Sequence, residues 1–212
     1  MQGSRVSRAV VFAIDEADCG PSYEKTNSKV FKTVQKDSRL IPFARLNPRA
    51  GDKAFRELKR CQKAGARGVK LHPRSEKFSP REAEDLIAEI EKARIPVILH
   101  TSHELRSGPL EWEPLFRRHR RIPFILAHGA KDAYPEAITV ARRNRHLWIE
   151  TSTLSYWRTG EILKALGASR VVFGSDLPYS HPAVERLKLD LLLNPSDRQK
   201  VYSENPKRIL GE

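Results

Sequence analysis

The chain has 212 residues, 39% of them hydrophobic and 31% charged, which suits one domain with a substantial core and is short for two. No stretch approaches the roughly 18 apolar residues of a membrane span, and residues 1–8 lack the apolar segment of a secretory signal. The two cysteines, Cys19 and Cys61, form no CxxC pair and suit a reducing compartment. We therefore expect one cytoplasmic domain over residues 1–212 with no membrane partner.

The net charge of +13 and the isoelectric point near 10.0 raise the question of a nucleic-acid partner. The basic residues, however, are spread along the chain, as in the Arg-Arg pairs at 117–118, 120–121 and 142–143. These pairs fall in segments of helical period and lack the aromatic residues of a stacking platform. We expect a solvated basic surface and no nucleic-acid partner.

Seven apolar runs recur in chain order, each almost continuously hydrophobic, which is typical of strands covered on both faces. They are residues 9–14, 41–46, 68–71, 96–100, 123–128, 147–151 and 170–174. Segments of helical period separate them at intervals of 23 to 32 residues, the length of a βα unit.

Seven such units predict an α/β fold of the (β/α)8 type, a TIM barrel, in which one strand is missing. An open seven-stranded sheet would leave two unprotected edges, which soluble proteins avoid. Either an upstream segment is absent from this chain, or a loop, a partner or a non-standard closure fills the gap.

Three of the runs end in a side chain that can bind a metal or move a proton. Run 96–100 ends in His100, run 123–128 ends in His128, and Asp176 follows run 170–174. Because the carboxyl ends of parallel strands carry the chemistry in barrel proteins, we expect these three side chains to converge at one mouth.

Six short motifs occur in order at barrel spacing. They are FARLNP (43–48), GVKLHP (68–73), PVILH (96–100), ILAHG (125–129), FGSDLP (173–178) and ENPKRILG (204–211). Together they resemble the amidohydrolase-related family (amidohydrolase 2) of metal-dependent TIM-barrel enzymes, which includes hydrolases and decarboxylases of aromatic acids. The resemblance runs from about residue 6 to the carboxyl terminus.

The resemblance implies that His100, His128 and Asp176 form the metal site. Asp176 would accept a proton from a metal-bound water while His128 polarises the substrate. Members open with a strand bearing a His-x-His pair, whereas no histidine precedes His72 here, so run 9–14 matches the family's second strand. The expected cofactor is a divalent metal, with zinc favoured, bound weakly or not at all by this chain because zinc takes about three protein ligands.

Four further residues are candidates for substrate binding because they end predicted strands. Lys70 lies near the end of the third run and His72 follows it, Arg45 lies in the second, and Thr151 ends the sixth. Lys70 and Arg45 suit a substrate carboxylate; equally, their stems would pack along the barrel with the charges in water. His119 and His146 fall at helix ends and are expected at the surface.

The leading hypothesis is a metal-dependent hydrolase that acts on a C–N or C–O bond of a small molecule. One alternative is a non-oxidative decarboxylase of a small aromatic acid at the same site. The other is a barrel without activity that serves as a binding or scaffold protein. Self-association into a homo-oligomer is also expected.

Overall fold

Parallel strands that follow one another in chain order build the sheet in this computed structural model, which describes residues 6–14 and 20–212. The strands are β1 (Ala9–Val11), β2 (Leu40–Arg45), β3 (Gly68–Leu71), β4 (Val97–His100), β5 (Phe124–Ala127), β6 (Leu147–Glu150) and β7 (Val171–Val172). Each pairs only with its neighbours in sequence, and in the described residues no ladder joins β1 with β7. The prediction of a TIM-barrel-like fold with seven recognisable βα units is confirmed.

Helices follow the strands and cover the outside of the sheet. They are α1 (Glu24–Val34), α2 (Asp52–Lys63), α3 (Pro73–Glu76), α4 (Pro80–Lys92), α5 (Pro109–Arg118), α6 (Tyr134–Arg143), α7 (Tyr156–Leu166), α8 (Pro182–Leu192), α9 (Pro195–Gln199) and α10 (Asn205–Leu210). Short 3-10 segments occur at Pro48–Ala50, His128–Ala133 and Ala168–Arg170, and a π turn at Lys200–Glu204. None of the helices in the described residues is long and apolar enough to cross a membrane.

The first and last strands are shorter than the predicted runs. The ladder between β1 and β2 ends at the pair Val11–Pro42, where proline has no N–H to donate. At the other end of the sheet, the Phe173 N–H donates to the Val201 carbonyl (3.4 Å) rather than to a strand. The segment that carries Asp176 is therefore a loop beyond β7.

Alternate residues along the strands separate the outer layer from the barrel interior. One set packs against the helices in the main core, as Phe124 and Leu126 of β5 do. The other set faces inward, where Ile125, Trp148 and Val172 form a small cluster with Ile209. The next inward positions toward the carboxyl ends of the strands include Glu150, and this upper layer holds the polar residues.

Two residues expected at the surface lie deeper in the structure. His119, which ends α5, is only 5% exposed, and its Nδ1 lies 3.0 Å from the Glu91 carboxylate of α4; burial with this partner explains the error. His146 is partly buried. Cys61 is a buried free thiol, whereas Cys19 lies outside the described residues.

Candidate functional site

Three strand ends bring two imidazoles and a carboxylate together at one mouth of the barrel. His100 is the last residue of β4, His128 follows β5 directly, and Asp176 lies in the loop after β7. The ring centroids of His100 and His128 are 5.0 Å apart, and His128 Nδ1 lies 4.0 Å from Asp176 Oδ2. The three side chains expected to converge therefore do lie together.

His72 joins this cluster from the end of β3. Its ring stacks on the ring of His100, with centroids 3.8 Å apart and an interplanar angle of 10°. The His72 Nδ1 accepts a hydrogen bond from the Ser75 N–H (3.3 Å), which caps α3. One face of the His100 ring is thus covered by the His72 ring, and the hydrogen bond at the amino end of α3 holds the His72 ring in place.

His100 has an unusual environment for a buried polar residue. It is only 4% exposed, and neither ring nitrogen has a hydrogen-bond partner among the described residues. Burial, followed by the charges on His72, Lys70 and His128, holds the pKa of His100 far below its ordinary value. The ring is therefore neutral, with a nitrogen lone pair available to a ligand.

His128 is fixed through both its backbone and its ring. Its N–H donates to the Glu150 carboxylate (3.1 Å), and its Nδ1 lies 2.9 Å from the Ser152 hydroxyl. That hydroxyl in turn donates to Glu150 (2.8 Å). Burial, with a smaller effect of Lys70, lowers the pKa of His128 to about 3, so its imidazole is uncharged near neutral pH.

Asp176 is half-buried, and burial raises the pKa of its carboxyl group against the opposing effect of Lys70 and Lys131. Its backbone is left-handed, with φ of 53°, as is that of His128, with φ of 61°. Such conformations cost of order 1–3 kcal/mol for residues other than glycine and concentrate at functional sites. Two of the three converging residues are therefore held in strained backbone.

Glu150 is a residue of this site that the sequence analysis missed. It is the last residue of β6 and follows Trp148 on the inward-facing set. Burial raises the pKa of its carboxyl group, although hydrogen bonds from His128 and Ser152 oppose the rise. A Cβ at Gly174 would lie 2.1 Å from Glu150 Oε1, so the glycine of the FGSDLP motif makes room for this carboxylate. The sequence did contain a signal for this residue, because Glu150 is the one acidic residue in an otherwise apolar strand.

Lys70 supplies a buried positive charge beside the cluster. It is 4% exposed, and its Nζ lies 5.2 Å from the centroid of the Phe12 ring. Burial, followed by repulsion from Arg45, lowers the pKa of Lys70 to about 8, against the attraction of Asp176 and Glu150. The ammonium group is therefore cationic at neutral pH and close to its titration range.

Arg45, the other predicted carboxylate-binding residue, is engaged inside the protein. Its guanidinium forms a buried ion pair with Glu76 (2.8 Å) and lies 4.8 Å from the centroid of the Tyr23 ring. Glu76 also accepts hydrogen bonds from the Tyr23 hydroxyl (2.8 Å) and the His72 N–H (3.0 Å). The pair thus supports the loop that carries His72, and the sequence analysis missed Glu76 and Tyr23.

Thr151 is fully buried, and its hydroxyl has no hydrogen-bond partner in the part of the chain that the structure describes. Its carbonyl accepts a hydrogen bond from Lys188 of α8 (2.9 Å). Among the described residues, no contact joins Thr151 to the histidines. A role in substrate binding stays a prediction for this residue.

The strands, the helices and the polar mouth define an α/β-barrel protein with imidazole and carboxyl groups clustered at the carboxyl ends of its strands. The sequence matches the amidohydrolase family over residues 3–211. The chain belongs to this family, as its six motifs indicate. No curated protein matches the sequence.

Solved structures show the same fold at low sequence identity. An uncharacterized TIM-barrel protein from Bordetella bronchiseptica has a TM-score of 0.81 and 19% identity, over 97% of this chain and 78% of that chain. The 2,6-dihydroxybenzoate decarboxylase from Rhizobium has a TM-score of 0.70 and 18% identity, over 87% and 75% of the two chains. A dihydroxybenzoic acid decarboxylase from Polaromonas sp. JS666, with bound manganese and the inhibitor 2-nitroresorcinol, has a TM-score of 0.69 and 17% identity over 89% and 76%.

The family is metal-dependent, and a metal ion needs several donor atoms that converge on one point. His100 has the buried, neutral, unpartnered nitrogens of a ligand. However, the described residues contain no group of three or more His, Cys, Asp or Glu side chains that could hold a metal ion. A zinc site takes about three protein ligands. The residues described here therefore do not form a metal site by themselves.

Proposed function

We propose that the protein is an acid–base enzyme that decarboxylates a small aromatic acid. The observation that carries this proposal is the buried ammonium of Lys70, whose charge acts on Asp176. Asp176 in turn lies beside His128. A buried cation suits a carboxylate substrate. The adjacent carboxyl group, with its raised pKa, retains its proton to higher pH than an ordinary aspartate and so suits a proton donor.

In the proposed step, the substrate carboxylate binds near Lys70, and the acid form of Asp176 gives its proton to the ring carbon. Two π electrons of the ring form the new C–H bond. The bond between this carbon and the carboxylate then breaks, carbon dioxide leaves, and the electron pair of that bond returns to the ring, which becomes aromatic again. The Asp176 carboxylate then regains a proton from water. The neutral ring of His128, held by Ser152 and Glu150, is placed to exchange hydrogen bonds with a ring hydroxyl.

Hydrolysis of a C–N or C–O bond is the second candidate function. The pair of His128 and Asp176, 4.0 Å apart, favours it because a carboxylate beside an imidazole suits removal of a proton from water. The sequence-based preference for hydrolysis rested on a metal-activated water. Decarboxylation ranks first because the buried Lys70 ammonium suits a carboxylate substrate.

The two reactions give different products from matched probes. One structural neighbour is a 2,6-dihydroxybenzoate decarboxylase, so this acid is the first probe. We expect the protein to release carbon dioxide from it. In D2O, the ring carbon that has lost its carboxylate should carry one deuterium. Gas release and proton NMR measure these outcomes. Cleavage of the corresponding amide or methyl ester without carbon dioxide would instead support hydrolysis. Turnover of neither probe class would favour the binding or scaffold hypothesis.

The affinity for an aromatic carboxylate should fall as the pH rises through 8. Lys70 is charged below its pKa of about 8 and neutral above it, because burial and Arg45 disfavour the cation while Asp176, Glu150 and Glu76 favour it. In calorimetric titrations with 2,6-dihydroxybenzoate, we expect the Kd to rise by up to about tenfold per pH unit above 8.

Three variants separate Lys70 from other titrating groups. Lys70→Arg keeps its charge at every pH tested, so its Kd should vary much less with pH. Lys70→Met should bind 2,6-dihydroxybenzoate weakly at every pH, because it has no charge to lose. The exposed Lys59→Met is the matched control and should follow the original protein. An unchanged pH dependence in Lys70→Met would contradict the assignment.

A further inference from the structure

A cavity lined by basic and apolar side chains lies at the end of the barrel opposite the histidines. Its volume is about 190 Å³, and its lining includes Arg120, Arg121, Arg145, His146, Trp148 and Arg208. Residues 120–123 precede β5, residues 145–146 precede β6, and Arg208 belongs to α10. The cavity thus opens at the amino ends of the strands. Strands of four residues span about 13 Å, so it is separate from the candidate active site.

Most of the arginines around this cavity have no carboxylate partner among the described residues. In residues 6–14 and 20–212, no carboxylate lies within ion-pair distance of Arg120, Arg145 or Arg208, whereas Arg121 lies 3.6 Å from Glu91. The guanidinium of Arg170, at the start of β7, bonds only backbone carbonyls, such as that of Leu147 (2.6 Å). Several cations therefore face one small volume.

The arginines near the cavity lie close enough to repel one another. Burial, followed by the charges of Arg145 and Arg208, lowers the pKa of Arg170. Clustering of like charges is unfavourable unless an anion binds among them.

The floor of the cavity adds a polar group and a flat ring. The His146 Nε2 is buried, and among the described residues it has no hydrogen-bond partner. The indole of Trp148 is 5% exposed and lies 5.6 Å from the guanidinium carbon of Arg208. An unpaired buried nitrogen needs a partner, and the P–O–H group of a partly protonated phosphate or pyrophosphate would supply a donor.

We propose that this cavity binds a small multivalent oxyanion of the phosphate class, held by Arg120, Arg145 and Arg208 with His146. Planar guanidinium groups match phosphate oxygens in pairs. The volume of about 190 Å³ lies below the roughly 300 Å³ at which pockets for drug-sized ligands begin. The fitting ligand is therefore of the size of pyrophosphate or a short phosphate ester, and a folded nucleic acid would contact only the rim. This inference is independent of the proposed function.

Binding of pyrophosphate provides the test. We expect the chain to bind pyrophosphate in calorimetric titrations and to gain thermal stability from it, while sodium chloride of equal ionic strength gives no such gain. In Arg145→Gln/Arg208→Gln, the Kd should rise by about tenfold or more, because the variant loses charge-assisted hydrogen bonds to the anion. The double variant Arg56→Gln/Arg81→Gln, which removes two exposed arginines elsewhere, is the matched control.

Three outcomes overturn the proposal. One is equal affinity of the cavity variant and the control variant for pyrophosphate. Another is a stabilisation that sodium chloride reproduces. The third is binding of a single-stranded oligonucleotide through these arginines without pyrophosphate binding, which would assign the surface to nucleic acid. Circular dichroism checks that both variants fold, and the proton NMR signal of His146 in the original protein should shift on addition of pyrophosphate.

Discussion

Replacing Asp176 by asparagine should remove turnover while leaving the fold in place. Asparagine keeps the size of the side chain but can neither hold nor release the proton, and proton transfer by a positioned group contributes about 10²–10⁴-fold to a rate. We therefore expect kcat for carbon dioxide release from 2,6-dihydroxybenzoate to fall by at least about 10²-fold. Because the side chain is half-buried rather than part of the core, the thermal midpoint should change little.

A matched control shows whether the loss depends on this carboxylate alone. Asp85→Asn makes the same chemical change at an exposed position of α4, and its kcat should equal that of the original protein. Ordinary kinetics in Asp176→Asn would remove this residue from the reaction. Loss of both activity and the folded circular dichroism spectrum would instead assign it a structural role.

Replacing Glu76 by alanine should strongly destabilise the fold. The ion pair between Arg45 and Glu76 is buried, with both side chains 3% exposed, so the variant would remove the Glu76 carboxylate from a guanidinium inside the protein. Breaking a buried pair on one side costs about 3–5 kcal/mol. Urea unfolding of the variant should therefore show a free energy of unfolding lower by about this amount.

An exposed ion pair provides the comparison. Glu89→Ala removes the partner of Lys92, whose side chain is 71% exposed, and such pairs contribute about 0–1 kcal/mol. The contrast between the two variants is the expected result. If Glu76→Ala unfolds at the same urea concentration as Glu89→Ala, the Arg45 pair does not support the loop of His72 in the way the contacts indicate.

Strand positions and the main site residues were accessible from the sequence because both follow local patterns. Continuous apolar runs mark strands that are buried on both faces, and the polar residue that ends each run lies at the barrel mouth. His100, His128 and Asp176 were found in this way. A pattern of this kind predicts which end of a strand a residue occupies, but it does not predict the partners of that residue in the folded protein.

Glu150, Glu76 and Arg45 show what a pattern of this kind leaves out. Glu76 pairs with Arg45 across 31 residues, and Glu150 reaches His128 across 22; neither partner is visible from spacing along the chain. Arg45 was expected at the substrate because a strand-end cation suits a carboxylate, yet the carboxylate it meets belongs to the protein. Tertiary contact decides which charges are already neutralised and which remain for a ligand.

The turn after β5 has a consequence for how the site operates. His128, Gly129, Ala130 and Lys131 all have positive φ, between 48° and 62°, a sequence of conformations that an unsupported chain avoids. The Glu150 carboxylate holds its first N–H at 3.1 Å. Folding therefore fixes the orientation of the His128 imidazole, and a substrate can bind without a change in the backbone of this turn.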